Sequence, residues 1–497
     1  MSLTSDKLRR VLGPLWLVTL CAVPLVLWAG SAPIGPRFEG RYVALSSIAV
    51  LLALAGTSAF ALNLVLGARL RAVEALFGGL EHMYKAHRLN GQIAFVLLVG
   101  HVGLILASRA TISTSTALDL LRPGAGWTVF AGVLAFAGMT IAIVLTLFVR
   151  LGHELFVYVQ RSFGVVFLGA TYHVFTTRGA IDGSRALNLY MVSLATLGLI
   201  AYLYRSVLGS LLVRRSKYRV AAVNRLDESV TEVVLEPREA CLVYAPGQFL
   251  FVNFREPFSE QLPAFARNQL HPFSITSAPS EQRLRITVKA VGDYTRALRT
   301  LERGVEAVVE GPYGAFSSRD VPNDNQVWIA GGIGVTPFLS MARSLNRDAP
   351  AVDFYYCVEH APEAHFVDEL RSIARECDNF RVLVVPRDSD GFLTAERLAE
   401  ETADLESADV LICGPPEMIV SLRSQLQARG VPAERIHAEE FSFAKLGRRA
   451  VAGSSDVTPS GLAADPKLLA SLAAVAFAGP ALAIAVLVGS YLIAKGR

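Results

Sequence analysis

The sequence predicts a multi-domain membrane protein made of an α-helical transmembrane bundle, an antiparallel β-barrel and an α/β domain with a parallel sheet, in that order. Three observations lead there. Positions 1–215 hold apolar segments at about 11–30, 42–66, 86–108, 127–149, 156–176 and 187–212, each near the ~20 residues that cross a hydrocarbon core. From Tyr218 the pattern changes to short alternating or apolar runs, such as Phe249 to Phe254 and Leu284 to Val291, broken by Gly, Pro and charge, which reads as a small barrel. From Gln326 apolar strands (Val327 to Ala330, Val352 to Cys357, Val382 to Val385, Val410 to Cys413) alternate with helical stretches, the pattern of βαβ units.

These changes divide the chain into a bundle over 1–214, a barrel over 215–321, an α/β domain over 322–445 and a remainder over 446–497. Within the remainder, Gly447 to Asp465 reads as a linker, and Leu468 to Ala494 is a candidate seventh span. Gly479 and Pro480 leave room there for a kinked or hairpin segment.

Composition agrees with partial solvation by lipid. Apolar residues make up 52% of the chain, charged residues 18%, and mean hydropathy is +0.42, against roughly 45–50% apolar content in soluble domains. The net charge of +4 is not gathered into long basic runs, so nothing asks for a nucleic-acid partner. Basic residues instead collect at Lys7, Arg9 and Arg10, at Arg69 and Arg71, and at Arg214, Arg215 and Lys217, where they would anchor helix ends on the cytoplasmic side. The five cysteines lack zinc or disulfide spacing, which suits a reducing cytoplasm for the polar half. Val11 to Gly30 follows a basic start as a signal peptide would, but its length, Trp16, Pro24 and the further apolar segments favour an uncleaved first helix.

Polar groups inside a membrane are expensive and usually functional. His87 and His101 are 14 positions apart on the third segment. Fourteen steps of about 100° return to within about 40° of the starting direction while rising about 21 Å, so both face one partner at two depths. With the N-terminus inside, His173 on the fifth segment lies at the depth of His101, and two imidazoles at one level can ligate haem iron axially. The competing reading is of packing or interfacial histidines, which the spacing and the depth match weaken. His82 is expected to precede the third helix, and His153 to lie in a cytoplasmic loop.

The stretches His87-Arg88-Leu89-Asn90-Gly91 leading to His101, and Gln160-Arg161-Ser162-Phe163-Gly164 leading to Tyr172-His173, resemble the ferric reductase-like transmembrane domain shared by NADPH oxidases and ferric reductases. That resemblance implies two stacked b-type haems, with His87, His101 and His173 as iron ligands. Gln160 stands where the family carries its fourth histidine, so the outer haem is supported, and the inner one has His87 alone unless Gln160 or a residue from another helix faces it.

In the polar half, His271-Pro272-Phe273-Ser274 closes a strand, Lys289, Gly292 and Thr295 supply a cation, a close backbone approach and a hydroxyl, and Glu310-Gly311-Pro312-Tyr313-Gly314 ends the domain. The cation and loop are what a pyrophosphate needs. In this order the pieces resemble the flavin domain of the ferredoxin-reductase family. The resemblance implies FAD, with Phe273 and Ser274 by the ring and Lys289, Gly292 and Thr295 by the phosphates.

After a strand come Gly331, Gly332, Ile333, Gly334, Val335, Thr336 and Pro337, a turn that lets amides approach a phosphate. Cys413-Gly414-Pro415 matches the family's turn beside the nicotinamide, and Phe441 matches the aromatic that covers the flavin, although it equally fits a core residue. Cys413 and Phe441 are therefore the expected catalytic residues. Glu359 after the second strand would accept from a ribose hydroxyl and repel a 2′-phosphate, which favours NADH, or tolerance of NADH and NADPH, with Arg387 still able to reach a phosphate.

The resemblance implies electron flow from NAD(P)H through FAD and haem to an acceptor at the outer face of a bacterial-type plasma membrane. Oxygen (giving superoxide), ferric iron, a quinone or a periplasmic protein are the candidate acceptors. A haem-binding sensor or scaffold without turnover is the alternative; a metal or haem carrier finds no acidic residues along the membrane path.

Overall fold

The structure, a computed structural model, describes residues 5–439 except 123, 125, 150–152, 178–182, 262–268, 322 and 347–348. Phe441, the linker and the candidate seventh span lie outside the described residues. The described residues form two compact units, divided between residues 213 and 214.

The first unit is a helical bundle. Among the described residues six helices are long and apolar enough to cross a membrane: Val11–Ala29, Arg41–Gly67, Leu80–Ala110, Trp127–Phe148, Leu155–Thr176 and Arg185–Val207. A helix satisfies every backbone group within itself, which hydrocarbon demands. Two histidines fall differently from the expectation. The third long helix begins at Leu80 and so contains His82, because the polar turn before the apolar run continues the helix. His153 opens the helix that runs to Thr176 and is not in a loop. The sixth helix ends its regular course at Tyr202, widens to a π turn over Leu203–Val207 and resumes at Gly209–Leu212.

Without a hydrophobic force between helices in lipid, close approach through small residues holds such bundles together. The second and third helices pack along one another, as do the fourth and fifth. A Cβ on Gly91 would lie 2.9 Å from the Asn63 amide, one on Gly100 2.8 Å from Leu52, and one on Gly198 of the sixth helix 3.1 Å from the backbone of Ala61. Phe60 of the second helix meets Phe163 and Phe167 of the fifth edge-on, at centroid distances of 6.2 and 5.0 Å.

The second unit contains both sheets. Strands β1 (Ser216–Arg225), β2 (Val230–Pro237), β3 (Phe249–Phe254), β4 (His271–Ser274), β5 (Leu284–Lys289) and β6 (Glu306–Tyr313) form an antiparallel sheet in the order β4-β3-β6-β1-β2-β5. A bridge between Ile275 and Ile286 links its two ends, so the sheet nearly closes. Inward residues such as Val220, Leu235, Leu250, Phe254 and Ile286 fill it.

Strands β7 (Asn325–Gly331), β8 (Ala351–Val358), β9 (Phe380–Pro386), β10 (Asp409–Cys413) and β11 (Ile436–Glu439) form a parallel sheet in the order β11-β10-β7-β8-β9. Side chains alternate across a strand. Trp328 and Ala330 therefore enter one core with Phe338 and Phe354, while Val327 and Ile329 enter the other with Val410 and Ile412. Both faces are covered, as parallel sheets require.

Barrel and sheet are joined by a polar clamp at the helix that follows β7. Ser340 donates to the carbonyl of Ser277 at 2.6 Å, and Arg343 donates to the carbonyl of Thr276 at 2.7 Å. The same guanidinium grips both carboxylate oxygens of Glu369 at 2.7 and 2.8 Å and lies 3.7 Å from Glu232. Its side chain is only 7% exposed while that of Glu369 is 42% exposed, so the guanidinium is shielded but the Glu369 carboxylate still meets water.

Two outcomes follow from this packing. Gly198→Leu forces a side chain against the Ala61 backbone and should lower bundle stability by roughly 1–3 kcal/mol, read as an earlier thermal unfolding midpoint in detergent. Arg343→Gln removes a charge-assisted set of hydrogen bonds and should cost about 2 kcal/mol, read as a lower denaturant midpoint for the loss of near-UV signal; an unchanged midpoint would mean the clamp contributes nothing.

Candidate functional site

The parallel sheet reverses direction beside β7. From β7 the chain proceeds to β8 and β9 on one side and then crosses to β10 on the other. Ligands of open α/β sheets bind at the carboxyl ends of strands where the order reverses, and here those ends are Gly331 and Cys413.

The two turns at these ends touch. A Cβ on Gly334 would lie 2.2 Å from the Cys413 carbonyl oxygen, and one on Gly331 2.7 Å from Pro415 and 3.3 Å from Gly414. Only glycine permits that approach. Gly332 takes φ +54 and has open space beside it, so its backbone faces the crevice unobstructed. The Thr336 hydroxyl donates to the Ile333 carbonyl at 3.0 Å, and Thr336 and Pro337 are buried. Thr336 thus braces the turn. Cys413 is fully buried at the end of β10.

Lys289, at the end of β5, lines the same cleft as Gly332, Tyr356, Ser229 and His365. Across this cleft His365 Nε2 pairs with Asp227 at 2.8 Å. Burial would raise the Asp227 carboxyl, but the Ser229 and Val230 amides that donate to it, together with His365, hold it below its ordinary value. The loop after Lys289 is shaped by Thr295, whose hydroxyl accepts from the amides of Val291 and Gly292, both at 2.9 Å. Thr295 is therefore an architectural member of the loop, and Gly292 is the exposed point of its backbone.

In β4, His271 stacks on Tyr294, with ring centroids 3.5 Å apart. This ties the His271-Pro272-Phe273-Ser274 strand to the loop that carries Lys289 and Thr295. The buried hydroxyls of Ser274 and Thr276 have no hydrogen-bond partner among the described residues. Buried polar atoms are normally satisfied, so these two suit a polar ligand lying along the strand, and the residues present fit FAD. The domain's end is held by Glu310, which accepts from the Tyr313 hydroxyl at 3.0 Å and from Arg215 at 3.2 Å.

At the far end of the crevice, Glu359 is paired with Arg387 at 3.0 Å. Arg387 in turn lies 4.4 Å over the ring of Phe392, which is 73% exposed. His360 hydrogen-bonds Asp388 at 2.9 Å, and that bond raises the imidazole above its ordinary value. Glu359 and Arg387, opposed in their preference for a 2′-phosphate, thus occupy one place.

In the bundle, three histidines share one arrangement. Nδ1 of His87 lies 3.0 Å from the Asn63 carbonyl, Nδ1 of His101 2.9 Å from the Ala49 carbonyl, and Nδ1 of His173 2.8 Å from the Thr128 carbonyl. A carbonyl only accepts, so Nδ1 carries the proton and Nε2 keeps its lone pair, the form in which imidazole binds a metal. His101 stands on the third helix and His173 on the fifth. Their donor chemistry fits a bis-histidine haem. Gln160, in the place of the expected fourth histidine, donates its amide to the Thr146 hydroxyl of the fourth helix at 3.2 Å. Among the described residues no group of three or more His, Cys, Asp or Glu is arranged around a metal position; haem needs only two axial ligands.

Sequence reasoning did not find the carbonyls of Asn63, Ala49 and Thr128, because a backbone acceptor has no residue-type signature. It also missed Asp227, His365, Tyr294, Thr146 and the Arg343 clamp, whose partners are distant in the chain.

Residues 52–171 match the family model described as the ferric reductase like transmembrane component, residues 215–317 the FAD-binding domain, and residues 328–424 the oxidoreductase NAD-binding domain. The chain is 25% identical over 252 residues to the reductase component of propane 2-monooxygenase from Rhodococcus jostii (strain RHA1), covering 48% of this chain and 66% of that protein. It is 36% identical over 143 residues to ferric reduction oxidase 8, mitochondrial, of Arabidopsis thaliana, covering 26% and 18%, and 26% identical over 260 residues to NADPH oxidase 1 of Rattus norvegicus, covering 42% and 45%. The chain therefore spans less than two thirds of the length of these curated relatives. Among solved structures, the FAD/NAD-binding domain of a nitric oxide dioxygenase from Vibrio cholerae is similar with a TM-score of 0.40 and 25% identity, covering 46% of this chain and 98% of that one. With a helical bundle, a near-closed barrel and a parallel sheet in this order, the chain has the architecture of the ferric reductase and NADPH oxidase family, a ferric-reductase-like transmembrane domain followed by FAD- and NAD-binding reductase domains.

Proposed function

We propose that the protein is an NAD(P)H- and FAD-dependent transmembrane oxidoreductase that passes electrons through b-type haem to oxygen or ferric iron at the outer face. The reductase domains would lie in the cytoplasm of a bacterial-type cell. The observation that carries the reductase reading is the contact of Gly331 and Gly334 with Cys413, Gly414 and Pro415 at the point where strand order reverses, with Lys289 on the same cleft. When bound, FAD converts a hydride into single electrons and haem relays them.

The chain's own residues do the positioning. Gly332 presents its backbone to the dinucleotide phosphates, since open space lies beside it at the strand end. Lys289 balances the charge of the flavin pyrophosphate. Ser274 and Thr276 bring buried hydroxyls to the flavin, and Phe441 is the proposed cover on its other face. Cys413 and Pro415 shape the wall against which the nicotinamide packs. His101 and His173 would hold the outer iron, their rings oriented by the Ala49 and Thr128 carbonyls at Nδ1. Glu359 selects for a free ribose, while its partner Arg387 keeps a cation available for a 2′-phosphate.

Anaerobic addition of NADH to the purified chain should bleach the flavin and then sharpen the Soret band as haem is reduced. Flavin that is bound and reduced while haem stays oxidised would favour the sensor or scaffold instead. Glu359→Gln should raise kcat/KM for NADPH relative to NADH by about tenfold, roughly 1.4 kcal/mol; an unchanged ratio would place cofactor choice elsewhere.

A further inference from the structure

We infer that the haem position at the level of His87 is held by protein from one side only, and that its opposite side is a binding site for a small neutral diatomic molecule. This inference rests on the haem reading above. Its observations are the unlike fates of His87 and Gln160.

His87 has the same support as His101. Each donates Nδ1–H to a carbonyl of the second helix, at 3.0 Å from Asn63 and 2.9 Å from Ala49. The two carbonyls are 14 positions apart, as are the two histidines, so the antiparallel pair of helices repeats one arrangement at two depths. Around His87 the arrangement is reinforced. Asn90 Nδ2 donates to the Ala59 carbonyl at 2.7 Å and to Asn63 Oδ1 at 3.2 Å, which fixes the stretch of the second helix that carries the accepting carbonyl. This is the protonation pattern in which an imidazole can ligate a metal through Nε2.

On the fifth helix the symmetry breaks. Both His173 and Gln160 turn toward the fourth helix, His173 to the Thr128 carbonyl and Gln160 to the Thr146 hydroxyl. Thr146 has already given its own proton to the Ala142 carbonyl at 2.7 Å, so its oxygen is set to accept from the Gln160 amide. That chain of two hydrogen bonds pins Gln160 where a second imidazole would begin. A carboxamide nitrogen has its lone pair delocalised into the carbonyl and does not replace imidazole on haem iron. At this point of the fifth helix stands the Gln160 amide and not an imidazole, so an iron held by His87 would be bordered, among the described residues, by a neutral hydrogen-bonding amide inside an apolar bundle. A small neutral ligand enters such a site without the desolvation cost that an anion would meet.

The test uses the full chain in detergent, with haem and flavin quantified and carbon monoxide as the probe. Expected are close to two haems per chain and a carbon monoxide difference spectrum of the dithionite-reduced protein that accounts for half of them. His87→Ala should remove one haem together with the whole carbon monoxide response. Gln160→His should keep both haems and weaken carbon monoxide binding at least about tenfold, a readout that survives if His87→Ala fails to fold. Two haems without a carbon monoxide response, or a His87→Ala variant that keeps the parent's full haem count, overturns the inference while leaving the electron-transfer reading in place. A chain that binds no haem overturns both.

Discussion

A polar side chain inside an apolar bundle has no water to turn to, so its hydrogen-bonding capacity is spent on protein or on a ligand. In this bundle the spending is directional. Backbone carbonyls on the second and fourth helices take the Nδ1 protons of His87, His101 and His173, and the price is an Nε2 lone pair that the described contacts do not consume. The glycines that let the second and third helices approach closely, Gly91 and Gly100, are what bring those carbonyls within reach. Close packing and imidazole chemistry are therefore one arrangement, and a change that separates the helices also frees the histidine tautomers.

The reductase half obeys a different constraint, that of backbone crowding. Gly331 and Gly334 meet the Cys413-Gly414-Pro415 turn so closely that a single methyl group would collide with it. This fixes the width of the crevice at the strand ends. The polar clamp of Ser340 and Arg343 on the carbonyls of Ser277 and Thr276 carries that rigidity into the barrel strand that bears the unpartnered Ser274 and Thr276 hydroxyls. Side chains expected to face phosphate take a share of this bracing. Thr295 and Thr336 spend their hydroxyls on the loops themselves, leaving Lys289 and the backbone of Gly332 to face the cleft.

Where two neighbouring residues oppose one another, the structure turns a preference into a balance. Glu359 and Arg387 read singly imply opposite nucleotides, yet they neutralise each other at 3.0 Å, with Arg387 also resting on the exposed ring of Phe392. A similar balance holds at Asp227, where burial and hydrogen bonding act in opposite directions and hydrogen bonding prevails.

The sequence by itself determined the architecture, because helix spans, alternating strands and βαβ units are written in the local periodicity of apolar residues, and Val11–Ala29, Phe249–Phe254 and Val410 to Cys413 announce their elements without reference to the rest of the chain. It also singled out candidate residues, since His87, His101, His173, Lys289 and the glycine turns are unusual where they stand. Only the tertiary structure decided what those residues touch. The protonated nitrogen of each imidazole, the pairing of Gln160 with Thr146, the stack of His271 on Tyr294 and the closure of Gly334 on Cys413 all join residues from separate elements. Their partners are backbone atoms or distant side chains that carry no local pattern, so they become visible only when the elements pack.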